Sequence, residues 1–125
     1  MAAKEKRATD AELALLKQLW PAGPLTARTL AERLYRSDTA SDIATVQKLL
    51  QRLEEKHLVV RQRKAPAHLF AAAISQEAFA GLQLEAMAQK LTDGSLAPFI
   101  LHLVKARRLT PAEREQIRKL IREIK

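Results

Sequence analysis

The sequence has no cysteine, only three glycines and no long hydrophobic run. Without cysteine there is no disulfide framework, no thiolate metal site and no thiol nucleophile. Three glycines do not suffice for a glycine-rich phosphate loop, where bare backbone must approach the phosphates closely. No stretch approaches the roughly 20 apolar residues that a membrane-spanning helix needs. The opening residues, MAAKEKRATD, lack the apolar centre of a secretory signal. A cytoplasmic protein with no membrane insertion is therefore the expectation. Catalytic groupings are equally scarce. His57, His68 and His102 share no metal-ligand spacing, and no carboxylate is placed to complete a triad with any of them. The pairs Asp10/Glu12 and Glu54/Glu55 fall on helix starts or solvent faces. The sequence thus predicts no enzyme activity, no metal and no cofactor.

What the chain does have is helical periodicity and positive charge. Its 125 residues are 47% hydrophobic and 29% charged, a globular composition, and carry a formal charge of +8. Residues 1–74 hold 13 Lys/Arg against 8 Asp/Glu, and residues 75–125 hold 9 against 6. An excess in both parts fits a polyanionic partner whose binding weakens as salt rises.

The stretch 41–73 carries the sharpest pattern. In SDIATVQKLLQRLEEKH, Val46, Leu49, Leu50 and Leu53 recur at i, i+3, i+4 and i+7, one apolar stripe at the helical period. The opposite face carries Ser41, Ala44, Lys48 and Gln51, flanked by Thr45 and Arg52. One cation per turn among small and amide residues suits a helix lying in a DNA major groove, about 12 Å wide. Lys48 and Arg52 are the foremost candidates for base or phosphate contact. Ser41 and Thr45 can touch a phosphate or a thymine methyl, and Ala44 permits close approach. Immediately after, Leu58–Val60 begin an extended run that continues into Arg61, Arg63 and Lys64. Ala65 and Pro66 turn it, and HLFAAA returns. These wing cations are candidates for phosphate or minor-groove contact. The FAAA segment can also be read as running on into the next helix.

Two short helices precede this stretch. Thr9 and Glu12 have capping-box spacing, and Pro21, Gly23 and Pro24 close the helix that they start. Thr26 caps the second helix, to about Tyr35, and Arg28 in its first turn is a candidate backbone clamp together with the helix's amides. The order helix-helix-helix-strand-strand is a mainly α fold, a winged helix-turn-helix, over residues 1–74. Residues 75–125 read as three amphipathic helices: one capped by Ser75, one from Ser95, and one opened by Thr110-Pro111-Ala112-Glu113. The last two expose the stripes Leu96, Phe99, Ile100, Leu103, Val104 and Ile117, Leu120, Ile121, Ile124. So few helical residues do not easily enclose a core of their own. These stripes are expected to pack on a second copy, making a homodimer, or on the N-terminal part.

The segments TDAELALLKQLWPAGPLTARTLAERL, TVQKLLQRLEEKHLVVRQRK, HLFAAAIS and DGSLAPFILHLV, with LTPAEREQIRKLI, together resemble the penicillinase-repressor and copper-repressor family (BlaI/MecI/CopY). The resemblance runs from Thr9 to Ile121. It implies a dimeric bacterial repressor on a palindromic double-stranded DNA operator, with the winged helix reading DNA and the C-terminal helices holding the dimer. It also places His102-Leu103 where members that answer β-lactams are cut, at Asn-Phe, by a membrane sensor protease. The copper-responsive members carry Cys-x-Cys pairs, which this chain lacks. His57 stands where the family usually has glycine, a position that favours positive φ. The alternative reading of the same features is a winged-helix protein-interaction module, which salt-insensitive binding and no affinity for DNA would mark.

Overall fold

In the computed structural model, which describes residues 7–63 and 66–124, the chain opens with α1 (Asp10–Ala22), α2 (Ala27–Tyr35) and α3 (Ala40–Glu55). Each follows a threonine whose hydroxyl accepts a backbone N–H from the first turn: Thr9 from Glu12, Thr26 from Thr29, Thr39 from Asp42. The cap of α3 is therefore Thr39, and Ser41 lies inside the first turn with its side chain exposed. Thr39 has the extended backbone, φ −62° and ψ 155°, that lets a hydroxyl fold back onto the helix.

The apolar stripes of the three helices meet in one core. Leu15, Leu16 and Leu19 of α1, Leu30 and Ala31 of α2, and Val46, Leu50 and Leu53 of α3 are sealed from solvent. Glu12 is sealed with them. Its carboxylate accepts the Thr9 N–H at 2.8 Å, completing the capping box, and takes two contacts from Lys56 Nζ at 2.5 and 3.0 Å. Burial pushes this carboxyl up. The Lys56 hydrogen bond, the Thr9 backbone and side-chain bonds and the ammonium charge outweigh it, so the net displacement is below the ordinary value. Lys56 stands just past α3, so the pair clamps the start of α1 to the end of the third helix.

Two strands follow, β1 (Val59–Arg63) and β2 (His68–Ala72), antiparallel with Val59 opposite Ala72, Arg61 opposite Phe70 and Arg63 opposite His68. Leu25, just before α2, bridges to Phe70 through backbone bonds of 2.9 and 2.8 Å in both directions. The hairpin is thus tied into the helical core rather than hanging from it. Leu58, Val59 and Phe70 are buried there. The FAAA segment is strand to Ala72, and the next helix, α4 (Gln76–Thr92), starts after Ser75, whose hydroxyl accepts from the Ala78 N–H at 3.0 Å.

Scarce glycine leaves a mark on the helix ends. Among the described residues, four other than glycine adopt left-handed backbone: Arg36 (φ 54°), His57 (62°), Asp93 (53°) and Arg107 (55°). Arg36 and Asp93 directly follow helices, and His57 and Arg107 stand one residue further on, after the caps Lys56 and Ala106; glycine is the usual solution at such helix ends. At His57 the following residue closes the turn, Leu58 N–H to Leu53 O at 2.9 Å. The backbone geometry inferred for this position from the family's glycine is present, carried by a histidine.

Two compact units divide at Leu84/Glu85, inside α4, rather than before it at residue 74. The early turns of α4 join the first unit for a physical reason: Phe79 is buried in its core, 5.8 Å from the Trp20 ring, and Trp20 Nε1 donates to the Ile74 carbonyl at 2.9 Å. The second unit continues through α5 (Ala97–Lys105) and α6 (Pro111–Glu123). In α5 Pro98 occupies the first turn, where no donor is required, and no side chain caps the start at Leu96. Around α6, Thr110 and Glu113 make both halves of a capping box. Neither α5 nor α6 contains a buried residue. Among the described residues no helix is long and apolar enough to cross a membrane.

Candidate nucleic-acid interface

Burial of Val46, Leu49, Leu50 and Leu53 fixes the rotation of α3 about its axis, and with it the face turned outward. Ser41, Ala44, Thr45, Lys48, Gln51 and Arg52 are all exposed. Neither Lys48 nor Arg52 has an ion-pair partner among the described residues, so both charges are available to a ligand. Thr45 Oγ1 donates to the Ser41 carbonyl at 3.1 Å. That bond commits the hydroxyl proton and leaves the methyl and an oxygen lone pair for an outside group. Helix, exposed cations and small residues at 41, 44 and 45 form one surface that a base edge can approach.

Beside this surface runs an open groove of about 710 Å3 between the start of α2, one flank of α3 and the hairpin. Arg28, Ala44, Lys48, Arg61 and Phe70 line it, along with Gln47, Gln51 and His68. Arg28 is exposed and only loosely held, 3.4 Å from an equally exposed Asp38, so solvent or a phosphate can displace that contact at little cost. Ser41, Thr45 and Arg52 do not line the groove; they occupy the crest and far flank of α3. Gln51, on the outward face read from the sequence, is joined here by Gln47 one helical turn away. Their amides match the donor-acceptor pair that adenine offers in the major groove. The available signal was their i, i+4 spacing around Lys48.

The hairpin divides its cations. Arg63 is exposed at the end of β1, whereas Arg61 is half-buried and paired with Glu54 of α3 at 2.6 Å. Lys64 lies outside the described residues. No group of three His, Cys, Asp or Glu side chains is placed to hold a metal ion among the described residues.

In the second unit the two sequence stripes remain open. Val104 is 50% exposed, Ile121 61% and Ile124 73%, with Leu96, Ile100, Leu103 and Leu120 also exposed and Phe99 and Ile117 half-buried. His102 and Leu103 fall within α5, with both side chains exposed.

Comparison with known proteins gives these features a context. The family model described as penicillinase repressor matches residues 8–123. Curated relatives from two strains of Mycobacterium tuberculosis, each named transcriptional regulator BlaI, are 35% identical over 125 residues, covering 98% of this chain and 88% of theirs. Among solved structures, a point mutant of Lactococcus lactis ZitR aligns over 94% of this chain and 73% of its own, at 20% identity and a TM-score of 0.47. A probable transcriptional regulator from Pseudomonas aeruginosa aligns over 92% and 76%, at 25% identity and a TM-score of 0.45.

Proposed function

The chain belongs to the penicillinase-repressor family, and from that premise we propose a homodimeric repressor that reads a palindromic operator with α3 and steadies itself with the wing. It is a DNA-binding transcriptional repressor and not an enzyme. The observation that carries the reading is the division of α3: one face is consumed by the core, and the other presents Lys48 and Arg52 with no ion-pair partner among the described residues. In this reading Arg52 and Lys48 reach base edges or phosphates, with Ser41, Ala44 and Thr45 allowing close approach. Arg28 and Arg63 fix register on the backbone. The location is the cytoplasm, where the operator is.

Dimerisation is assigned to Leu96, Phe99, Ile100, Leu103 and Val104 of α5 and its cap, and to Ile117, Leu120, Ile121 and Ile124 at α6. Open apolar stripes of this kind are what a second copy would cover, and pairing sets two recognition helices on half-sites about one helical turn, ~34 Å, apart. Release by a sensor protease at His102-Leu103 is not part of the proposal, because His-Leu replaces the Asn-Phe pair that such a protease cuts. The test is selection of genomic fragments by the purified protein. Enrichment of an inverted repeat, lost in Lys48→Ala and Arg52→Ala, supports the reading. Equal retention of selected and scrambled DNA by all three proteins refutes it.

A further inference from the structure

Arg61 looks from sequence like one more wing cation, but its guanidinium is engaged on several sides. Nη2 contacts Glu54 Oε1 at 2.6 Å, with both side chains only 27% exposed. Nη1 lies 3.2 Å from His68 Nδ1 on the opposite strand, the diagonal neighbour in the hairpin register. Its Cζ sits over the Phe70 ring, 4.9 Å from the centroid, a cation–π contact. Phe70 is itself buried and is the residue that bridges to Leu25. The Nε atom is enclosed with no partner among the described residues, so the group is held by its two Nη atoms and the ring contact. Through these contacts one side chain joins β1, β2 and the last turn of α3.

From this we infer that Arg61 is a positioning residue that locks the wing base to the recognition helix and does not neutralise a phosphate. The inference rests on the proposed DNA reading and refines it: Lys48, Arg28 and Arg63 supply the charge, and Arg61 sets the angle at which the wing and α3 meet the duplex. A short ion pair to a half-buried carboxylate leaves little net positive charge at this position for DNA. The planar fork is needed for the combination of carboxylate, imidazole and ring contacts, which lysine does not reproduce.

The two roles differ in their dependence on salt and on charge. Each phosphate neutralised contributes about 0.9 to the slope of log K against log salt. The experiment titrates the full-length protein into a random-sequence duplex over a range of salt, and into a duplex recovered by the genomic selection. Arg63→Gln is expected to lower the slope by about 0.9, and Arg61→Gln to leave it unchanged. Arg61→Lys and Glu54→Gln both retain every cation. Each is nonetheless expected to lose about tenfold of the preference for the selected duplex over the random one. Hydrogen exchange of the hairpin amides should quicken in both while the α1 and α2 amides keep their protection, which separates a loosened wing from a failure to fold. A slope reduced in Arg61→Gln as in Arg63→Gln, with Arg61→Lys equal to wild type, overturns the inference. So does Glu54→Gln binding more tightly with a steeper slope, since that marks Arg61 as a phosphate contact restrained by the carboxylate. If wild-type protein binds neither duplex, the DNA reading itself fails, and the result is distinguishable from these.

Discussion

The two compact units use the same sequence device to different ends. In the first, amphipathic helices α1 to α3 turn their leucines inward, and Leu15, Leu16, Leu30, Leu50 and Leu53 are completely enclosed. In the second, α5 and α6 carry stripes of the same period and comparable residues, and not one side chain in either helix is buried. An apolar stripe therefore states which face wants covering and says nothing about what covers it. In the proposed function the difference separates a unit that folds on itself from one completed by association.

The largest effect should come from breaking that completion. Leu120→Asp or Ile121→Asp places a charge in the open stripe, and sedimentation should show monomers. Operator affinity should drop by about 10²-fold or more as the second half-site ceases to act at high effective concentration. A dimer that survives both substitutions would move the interface elsewhere.

A substitution in the closed unit should cost folding instead. Lys56→Met leaves Glu12 charged and enclosed, which should destabilise the fold by roughly 3 kcal/mol in denaturant titration. The pH dependence follows from the carboxyl's downward displacement from its ordinary value of 4.5. A depressed folded value contributes stability that is complete above that ordinary value and is lost as pH falls through the folded one. The wild-type advantage over Lys56→Met should thus hold at neutral pH and shrink in acid. An advantage that is flat with pH would mean that the pair does not govern Glu12.

Between these extremes lies the exposed face of α3. Arg52→Ala and Lys48→Ala should each cost about 1–3 kcal/mol of operator binding if they read bases, with little change in folding stability. The smallest effect belongs to the helix ends. Arg36→Gly relieves a left-handed arginine and should stabilise the first unit by roughly 0.5 kcal/mol in the same denaturant titration. Destabilisation there would point to a contact made by the Arg36 side chain.

Much of this architecture is legible in the sequence, because short-range rules govern it. The threonines at 9, 26 and 110 cap helices as their spacing implies, and the stripe from Val46 to Leu53 sets the rotation of α3. The hairpin is less legible: its returning strand is also held by the Leu25–Phe70 bridge, a contact between segments far apart in the chain that local pattern does not encode. Arg61 illustrates the same limit at the site. Its neighbours in sequence make it a wing cation, and only the packing of α3 against β1 brings Glu54 to it. The division at Leu84 was hidden for a similar reason, since Phe79 reads as the start of a new helix until Trp20 is placed beside it.

One crosslinking measurement tests the DNA face and the pairing face together. A photoreactive side chain placed at Thr45, and separately at Ile121, is irradiated in the presence of a duplex recovered by selection. The Thr45 probe should attach to bases within the recovered site, and the Ile121 probe to a second copy of the protein and not to DNA. Attachment of the Ile121 probe to bases, with none from Thr45, would contradict the division of labour between the two units.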